Sequence, residues 1–142
     1  MKQAPVATHL TLELLGALQT VGARLEKALE PHGLSLPKFR VLSLLVAAGE
    51  PLPLGALAEQ VECVRSNITQ LMDRLESESL VARVDDPRDR RSIRAELTAE
   101  GRKRHAAGAV AVAQAEQEVL TQVPQPQLEI FLQVLALLRE SR

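Results

Sequence analysis

Apolar residues recur at helical spacing along most of this chain, and the pattern changes to strand-like alternation in one short stretch. Steps of three and four residues predict a long first helix that ends near Pro31 and Gly33, and a second helix with Ser35 as its N-cap. Two short helices are predicted next. The apolar faces of these four helices are formed by Leu14, Leu18, Val21, Leu25 and Leu29; by Leu36, Phe39, Leu42 and either Leu45 or Val46; by Leu54, Leu57, Ala58 and Val61; and by Ile68, Leu71, Met72 and Leu75. The Pro51-Leu-Pro53 run is interpreted only as a break between helices.

The alternating stretch lies at residues 80–97 and predicts a β-hairpin with Pro87 at its tip. Val81 and Val84 precede the tip, and Ile93, Ala95 and Leu97 alternate after it. The tip carries Arg88, Arg90 and Arg91. Clustered arginines repel one another, so a polyanion is the natural partner, and duplex DNA is the favoured one. In the competing interpretation, Asp85, Asp86 and Asp89 neutralise the arginines and the hairpin is only a solvated surface.

Residues 57–69 place two short amphipathic helices about four residues apart, which is typical of a helix-turn-helix. The second helix has apolar residues on one face and polar residues on the other. That polar face consists of Arg65, Ser66, Asn67, Thr69, Gln70 and Arg74. Asn and Gln bind adenine edges, Arg binds guanine or phosphate, and Thr contacts the thymine methyl group. The sequence therefore predicts a helix that reads the major groove.

The composition of the chain further limits the classes of molecule that it is expected to bind. The 142 residues are expected to form a single domain, and they include two Phe but neither Trp nor Tyr, which argues against stacking on unpaired bases. The net charge of −1 hides eight basic and five acidic residues between Arg83 and Arg104. One cysteine, no signal peptide and no apolar run long enough for a bilayer favour a cytoplasmic protein without membrane contact.

Both ends of the chain are unusually apolar. Leu10, Leu12, Leu14 and Leu15 lie around the whole circumference of the first helix. Thr98 is predicted to cap a long helix that runs to about Gln122. Pro124 and Pro126 end this helix and start the final one, which carries a nearly continuous apolar stripe. Leu128, Phe131, Leu132, Leu135 and Leu138 form that stripe. The two ends must be buried against each other or against a second subunit.

From Leu34 to about Arg104 the sequence resembles the MarR family of winged helix-turn-helix regulators. The motifs that carry the resemblance are Leu36-Pro-Lys-Phe-Arg-Val-Leu42, Leu57-Ala58, Arg65-Ser-Asn-Ile-Thr69, Leu71-Met-Asp-Arg-Leu75, Leu80-Val81, Asp86-Pro-Arg-Asp-Arg-Arg91 and Leu97-Thr-Ala-Glu-Gly101. The resemblance implies a mainly α fold with a small β-hairpin wing (α+β), in which residues 34–98 form the DNA-binding lobe and residues 8–32 and 99–142 form dimerisation helices. It also implies a homodimer that binds a pseudo-palindromic operator, usually as a repressor. Asp89 and Arg91 would fill the wing Asp-x-Arg of the family, so that Arg91, with Arg88 and Arg90, enters or lines the minor groove.

Three residues depart from the pattern of the family. Val64 replaces a common Ser cap, which costs about 0.5–2 kcal/mol. Glu62 and Ser79 replace glycines, and each costs roughly 1 kcal/mol or more if its position requires a positive φ.

Control by a small phenolic or lipophilic effector is implied by the resemblance, in a cleft between the dimerisation helices and the DNA-binding lobe. His9, Arg24 and Lys38 are candidate polar groups for that cleft. Two alternatives are a winged-helix dimer that mainly binds proteins and a redox-responsive regulator that uses Cys63, although a buried structural thiol is the favoured interpretation. His9, His32 and His105 are scattered and are expected to face solvent, so neither a metal nor another cofactor is expected. No catalytic set is present in the sequence, so an enzyme is not expected.

Overall fold

A computed structural model describes the backbone of residues 6–61 and 65–141, and the side chains of residues 9–61 and 67–141. The described helices are α1 (Val6–Leu29), α2 (Leu36–Ala48), α3 (Leu54–Gln60), α4 (Arg65–Ser77), α5 (Ala99–Leu120) and α6 (Gln125–Glu140), with one 3-10 turn at Glu30–His32. The strands are β1 (Leu52–Pro53), β2 (Val81–Asp86) and β3 (Asp89–Leu97). The predicted class, mainly helical with a small wing, is confirmed.

The caps that the sequence predicts are present. Ser35 precedes α2 in an extended conformation, and its hydroxyl accepts a hydrogen bond from the amide of Lys38. Thr98 does the same for α5, with Gly101 as the donor. Each hydroxyl satisfies an amide that has no partner inside its helix, and this fixes where α2 and α5 begin.

The three strands form an antiparallel sheet in the order β1-β3-β2. In the hairpin Val81 lies opposite Leu97, and Leu52 of β1 lies opposite Ala95. The segment around Pro53, which was expected only to break a helix, therefore adds a third strand. A proline is tolerated there because β1 is an edge strand, where one missing amide donor leaves no neighbour unpaired.

An aliphatic core joins α1, α2, α3, α4 and the sheet. Its largest fully buried side chains are Leu29, Leu42, Leu57, Met72, Leu75, Leu80, Val41 and Val81. Of the predicted face of α1, only Leu29 reaches this core, whereas Leu14 and Leu18 are exposed. The N-terminal half of α1 therefore lacks a covering surface within one protomer.

The described terminal helices do not cover each other. α6 makes no extensive contact with α1 or with any other described element. Large apolar side chains stay exposed on both helices, including Leu12 and Leu18 on α1 and Leu132 and Leu137 on α6, each about two-thirds accessible. The sequence left two possibilities open for the apolar ends: burial against each other or burial against a second subunit. In the structure the described parts of the two ends do not pack on each other within one chain.

Ser79 lies after α4 with a φ of 59°, and it is the single non-glycine residue with positive φ in the described part of the chain. This is the left-handed conformation that glycine adopts without cost, so serine costs about 1 kcal/mol here. The expectation at Ser79 is therefore confirmed, whereas Glu62 and Val64 lie outside the described residues. The strained turn allows the amide of Leu80 to reach the carbonyl of Leu75, which ends α4.

Gly101 allows the closest approach between α5 and the hairpin, and this generates a testable prediction. A Cβ at this position would overlap the carbonyl oxygen of Leu80, which is held by the amide and the hydroxyl of Thr98. Because that carbonyl cannot move freely, Gly101→Ala should lower the free energy of unfolding by about 3 kcal/mol in urea titration. The control is Gly22→Ala in α1, where no atom lies within 4 Å of an added Cβ. It should raise stability by up to about 1 kcal/mol. Equal stability of the two variants would contradict the packing described.

Candidate nucleic-acid interface

The polar face of α4 is set by what the opposite face buries. Ile68, Met72 and Leu75 are inaccessible or nearly so, and they are spaced at helical steps along one side. The predicted reading residues Asn67, Thr69, Gln70 and Arg74 are all exposed on the remainder of the helix. Arg65 and Ser66 belong to α4, but their side chains lie outside the described residues. The described side chains of α4 therefore present a hydrogen-bonding surface to solvent.

The tip of the hairpin is a two-residue turn of Pro87 and Arg88 between the paired residues Asp86 and Asp89. Arg88, Arg90 and Arg91 are exposed, and none makes an ion pair with a described residue. Asp89 accepts a hydrogen bond from the backbone amide of Arg91, at 2.9 Å. The three guanidinium groups therefore face solvent without an ion pair to a described residue.

Asp86 organises the wing, a role that the sequence analysis missed. Its Oδ1 accepts a hydrogen bond from the amide of Arg88, and its Oδ2 accepts one from Nη2 of Arg94, both at 2.9 Å. These two contacts, the backbone bond first, hold the pKa of the buried Asp86 carboxyl below its usual range. Nη1 of Arg94 also donates to the carbonyl of Pro51. The Asp-Pro dipeptide, which favours turns, was the available sequence signal.

Three further ion pairs hold the C-terminal half of α4 and the residue after it, Glu78. Arg83 of β2 donates from its two terminal nitrogens to Asp73 and Glu76, and its backbone amide donates to Glu76. The hydrogen bond to Asp73 raises the pKa of Arg83. Lys38 of α2 donates to both carboxylate oxygens of Glu78, at 2.8 and 2.9 Å. α4 is thus tied to the wing on one side and to α2 on the other.

The three residues suggested for an effector cleft do not converge within the protomer. Lys38 is paired with Glu78, as described above, and Arg24 lines a groove between α1 and α5. His9 is exposed on α1, fifteen residues before Arg24, which along a helix is about 22 Å.

The sequence predicted that His105 faces solvent, and this prediction is wrong because the side chain is half-buried. Its ring stacks on Phe39 at a centroid distance of 5.1 Å, and its Nε2 lies 3.0 Å from the hydroxyl of Ser43. Burial, with a smaller contribution from Arg102, lowers the pKa of His105. His105 therefore links α2 to α5, which makes it part of the packing between these two helices.

Cys63 lies outside the described residues. Among the described residues, no group of three His, Cys, Asp or Glu side chains is placed to hold a metal ion. In the same part of the chain, none of the helices has the length and apolar character that a membrane span requires.

The model of the MarR family matches residues 34–93 of this chain. The HTH-type transcriptional regulator MhqR of Bacillus subtilis is 32% identical over 92 residues, which cover 65% of this chain and 63% of MhqR. The HTH-type transcriptional repressor MdtR of the same organism is 32% identical over 102 residues, which cover 71% of this chain and 65% of MdtR. The chain thus spans somewhat less than two-thirds of the length of these relatives.

Solved structures resemble the whole fold more completely. A MarR-family transcriptional regulator from Rhodococcus sp. RHA1 superposes with a TM-score of 0.84 at 27% identity, and the superposition covers 94% of each chain. CouR from Rhodococcus jostii RHA1, whose crystal structure contains p-coumaroyl-CoA, gives a TM-score of 0.81 at 25% identity and covers 94% of this chain and 93% of CouR.

The Asp86 contacts predict how the wing responds to acid. Because the pKa of Asp86 is lowered in the folded protein, its contribution to wing order is complete at neutral pH. It is lost as the pH falls below about 4 and through the lowered pKa. The amide of Arg88 should report this as a pH-dependent NMR shift with a midpoint below that of an ordinary aspartate. Asp86→Asn keeps one acceptor but removes the charge, so the shift should disappear. A midpoint at or above the ordinary value would refute the described contacts.

Proposed function

We propose that this chain is a winged helix-turn-helix protein of the MarR family and a sequence-specific regulator of transcription that binds double-stranded DNA. In the proposed function it acts in the cytoplasm as a repressor, and a small-molecule effector releases it from a pseudo-palindromic operator. α4 reads base edges in the major groove, and the wing arginines contact the adjacent minor groove and phosphates.

The observation that carries this proposal is how the lobe distributes its positive charges. Arg83 and Arg94 are paired with carboxylates inside the protomer. Arg88, Arg90 and Arg91 have no such partner among the described residues, although acidic side chains lie within a few positions of them. Three neighbouring guanidinium groups repel one another and do not stabilise the fold, whereas a bound anion relieves that repulsion. DNA phosphates, next to the hydrogen-bonding face of α4, supply that anion.

The proposed protein is a homodimer, because two reading helices are needed for two operator half-sites. Residues 8–32 and 99–142 form its dimerisation helices in this proposal. The exposed apolar side chains of α1 and α6 support it, since a monomer would leave this surface in water. The same face on both subunits then contacts itself around a two-fold axis.

Control by an effector is supported by the relative CouR, whose structure contains p-coumaroyl-CoA. The proposed effector of this chain is a small organic molecule that binds within the dimer or its DNA-binding lobe. His9 and Arg24 remain candidates only for a cleft completed by a second subunit, since they do not meet within one protomer.

The wing arginines provide the test of DNA binding. Arg88, Arg90 and Arg91 are changed together to Ala, and affinity is measured by fluorescence anisotropy with a duplex selected from a random pool. We expect affinity to fall about tenfold or more near physiological salt, because phosphate contacts are lost. The slope of log affinity against log salt should decrease by about 0.9 for each contact removed.

A matched variant controls for the change in net charge. Lys27, Arg102 and Lys103 are exposed, lie on α1 and α5, and are changed to Ala together. This variant should keep both the affinity and the salt slope within about twofold, since its charges lie outside the interface. If the two triple variants lose affinity equally, or if the unaltered protein does not prefer the selected duplex over a scrambled one, the proposed function fails.

The dimer predicts a second result. By light scattering the unaltered protein should have twice the 15.5 kDa mass of one chain. Leu132→Glu combined with Leu137→Glu should give monomers at micromolar concentration, because burial of each leucine contributes about 1.5–3 kcal/mol. Gln133→Glu adds a charge at an exposed polar position of α6 and should leave the mass unchanged. A monomeric unaltered protein would contradict the proposed assembly.

A further inference from the structure

Arg94 joins three segments of the DNA-binding lobe. Its side chain lies on β3, where Nη2 donates to Oδ2 of Asp86 at 2.9 Å and Nη1 donates to the carbonyl of Pro51 at 3.4 Å. Asp86 ends β2 at the wing turn, whereas Pro51 directly precedes β1, which leads into α3. We call these two contacts the Arg94 bridge. The bridge connects the wing turn to the segment from which the helix-turn-helix begins.

The Arg94 bridge leaves little for DNA to bind. Both terminal nitrogens of Arg94 are engaged, and its Nε is buried without a hydrogen-bond partner in the described part of the chain. The side chain of Asp86 is only 9% exposed. Arg88, Arg90 and Arg91, by contrast, are exposed without an ion pair to a described residue. The bridge is therefore suited to holding the wing and not to binding phosphate.

Stability alone gives a weak reason for an arginine at this position. A partly buried ion pair loses contact with water, and the unpartnered Nε adds to that loss, so a well-packed apolar side chain stabilises a sheet at least as well. An arginine does what an apolar side chain cannot, because its planar guanidinium group fixes the directions of both acceptors. The Arg94 bridge therefore fixes the geometry between the wing turn and β1.

A groove of about 290 Å³ between α4 and the wing depends on this geometry. Its lining includes Thr69 of α4, Arg91 of β3 and residues 53–55. Thr69 and Arg91 are proposed to contact the major groove and the minor groove, which one sugar-phosphate strand separates, so that strand passes between them. Pro53 lies opposite Arg94 in the sheet. The Arg94 bridge thus holds one part of the lining against another and sets where Arg91 meets the DNA.

The consequence for sequence preference follows from the electrostatics of the duplex. A narrow, A·T-rich minor groove concentrates negative potential and favours an inserted arginine, whereas phosphates attract an arginine whatever the sequence. A wing that is held in place inserts Arg91 and senses the width of the groove. A wing that shifts still meets phosphates but loses this preference.

We propose that Arg94 and Asp86 are positioning residues for DNA recognition, which hold the wing against β1 and so give the protein its minor-groove sequence preference. Neither side chain touches DNA in this proposal. The sequence preference rests on the proposed DNA binding, whereas the connection between the wing turn and β1 does not. The two parts are therefore tested separately.

The connection is tested first without DNA, by NMR of the ¹⁵N-labelled protein. Asp86→Asn removes the charge at the wing turn. We expect the amide signals of Arg88, at the turn, and of Leu52, in β1, both to shift, because the change passes through Arg94. Arg102→Gln changes an exposed arginine of α5 and should move neither signal. An unmoved Leu52 signal in Asp86→Asn overturns the proposal.

A second variant covers the case in which Asp86→Asn does not fold. Arg94→Lys keeps a charge beside Asp86 but lacks the planar fork that also reaches Pro51. The Leu52 signal should shift in this variant as well, and an unmoved signal overturns the proposal in the same way.

The sequence preference is then measured by anisotropy with the selected duplex and with copies in which single A·T pairs become G·C. The positions beneath the wing are those where the combined Ala variant of Arg88, Arg90 and Arg91 loses its preference. There Asp86→Asn and Arg94→Gln should each lose most of a preference that we expect to be about tenfold. At the positions that α4 reads, the preference should be unchanged. A general loss of structure would instead weaken the binding of all duplexes equally.

The salt dependence separates positioning from contact. In Arg94→Gln the slope of log affinity against log salt should change by less than the value of about 0.9 that loss of one phosphate contact produces. A decrease of that size or more assigns Arg94 to phosphate binding and overturns the proposal. The double variant of Asp86→Asn with Arg94→Gln should lose no more preference than either single variant, because both break the same bridge, and additive losses also overturn it.

The outcomes distinguish this proposal from the proposed function. If the unaltered protein prefers no duplex, the proposed function fails, while the signals of Arg88 and Leu52 still decide whether the Arg94 bridge connects the wing turn to β1. If it prefers the selected duplex but both single variants keep the A·T preference beneath the wing, or the unaltered protein has none there, the role of Arg94 and Asp86 in recognition is wrong.

Discussion

The burial of one face of α4 is the constraint on which the rest of the interface depends. Ile68, Met72 and Leu75 enter the core, and each such side chain contributes about 1.5–3 kcal/mol when it leaves water. Partly exposed ion pairs such as those of Arg83 contribute at most about 1 kcal/mol. Core packing therefore decides where α4 lies, and the ion pairs refine its angle to the wing. Because the apolar face is buried in the core, the polar face of α4 is exposed to solvent.

A second principle is the separation of structural charges from functional ones. Asp86, Asp73 and Glu76 are acceptors for Arg94 and Arg83, which hold the wing and its contact with α4. The tip arginines have no ion-pair partner among the described residues, so their charge is available to an outside anion. The strained residue Ser79 serves the same geometry, because its left-handed backbone turns the chain from α4 into β2. The paired charges that hold the wing and the unpaired charges at its tip thus lie close together in one short segment of the chain.

The terminal helices α1 and α6 leave much of their apolar surface exposed within one protomer. α1 contributes Leu29 to the core of the lobe but leaves its N-terminal leucines in water, and α6 buries almost nothing within the protomer. A second subunit would complete both helices at once. α5 in turn packs on α1 and on α2, where Phe39 and His105 stack.

Local patterns determined most of the elements, because helical and strand periodicity, Ser35 and Thr98 as caps, and the Asp-Pro turn act over a few residues. They also identified the exposed face of α4 and the tip arginines. The tertiary structure alone decided which charges are paired: Lys38 meets Glu78 across forty residues, and Arg94 meets the carbonyl of Pro51 across forty-three. It also placed β1 in the sheet. Sequence spacing holds no signal for such contacts, because they depend on how distant elements pack and not on the period of any one of them.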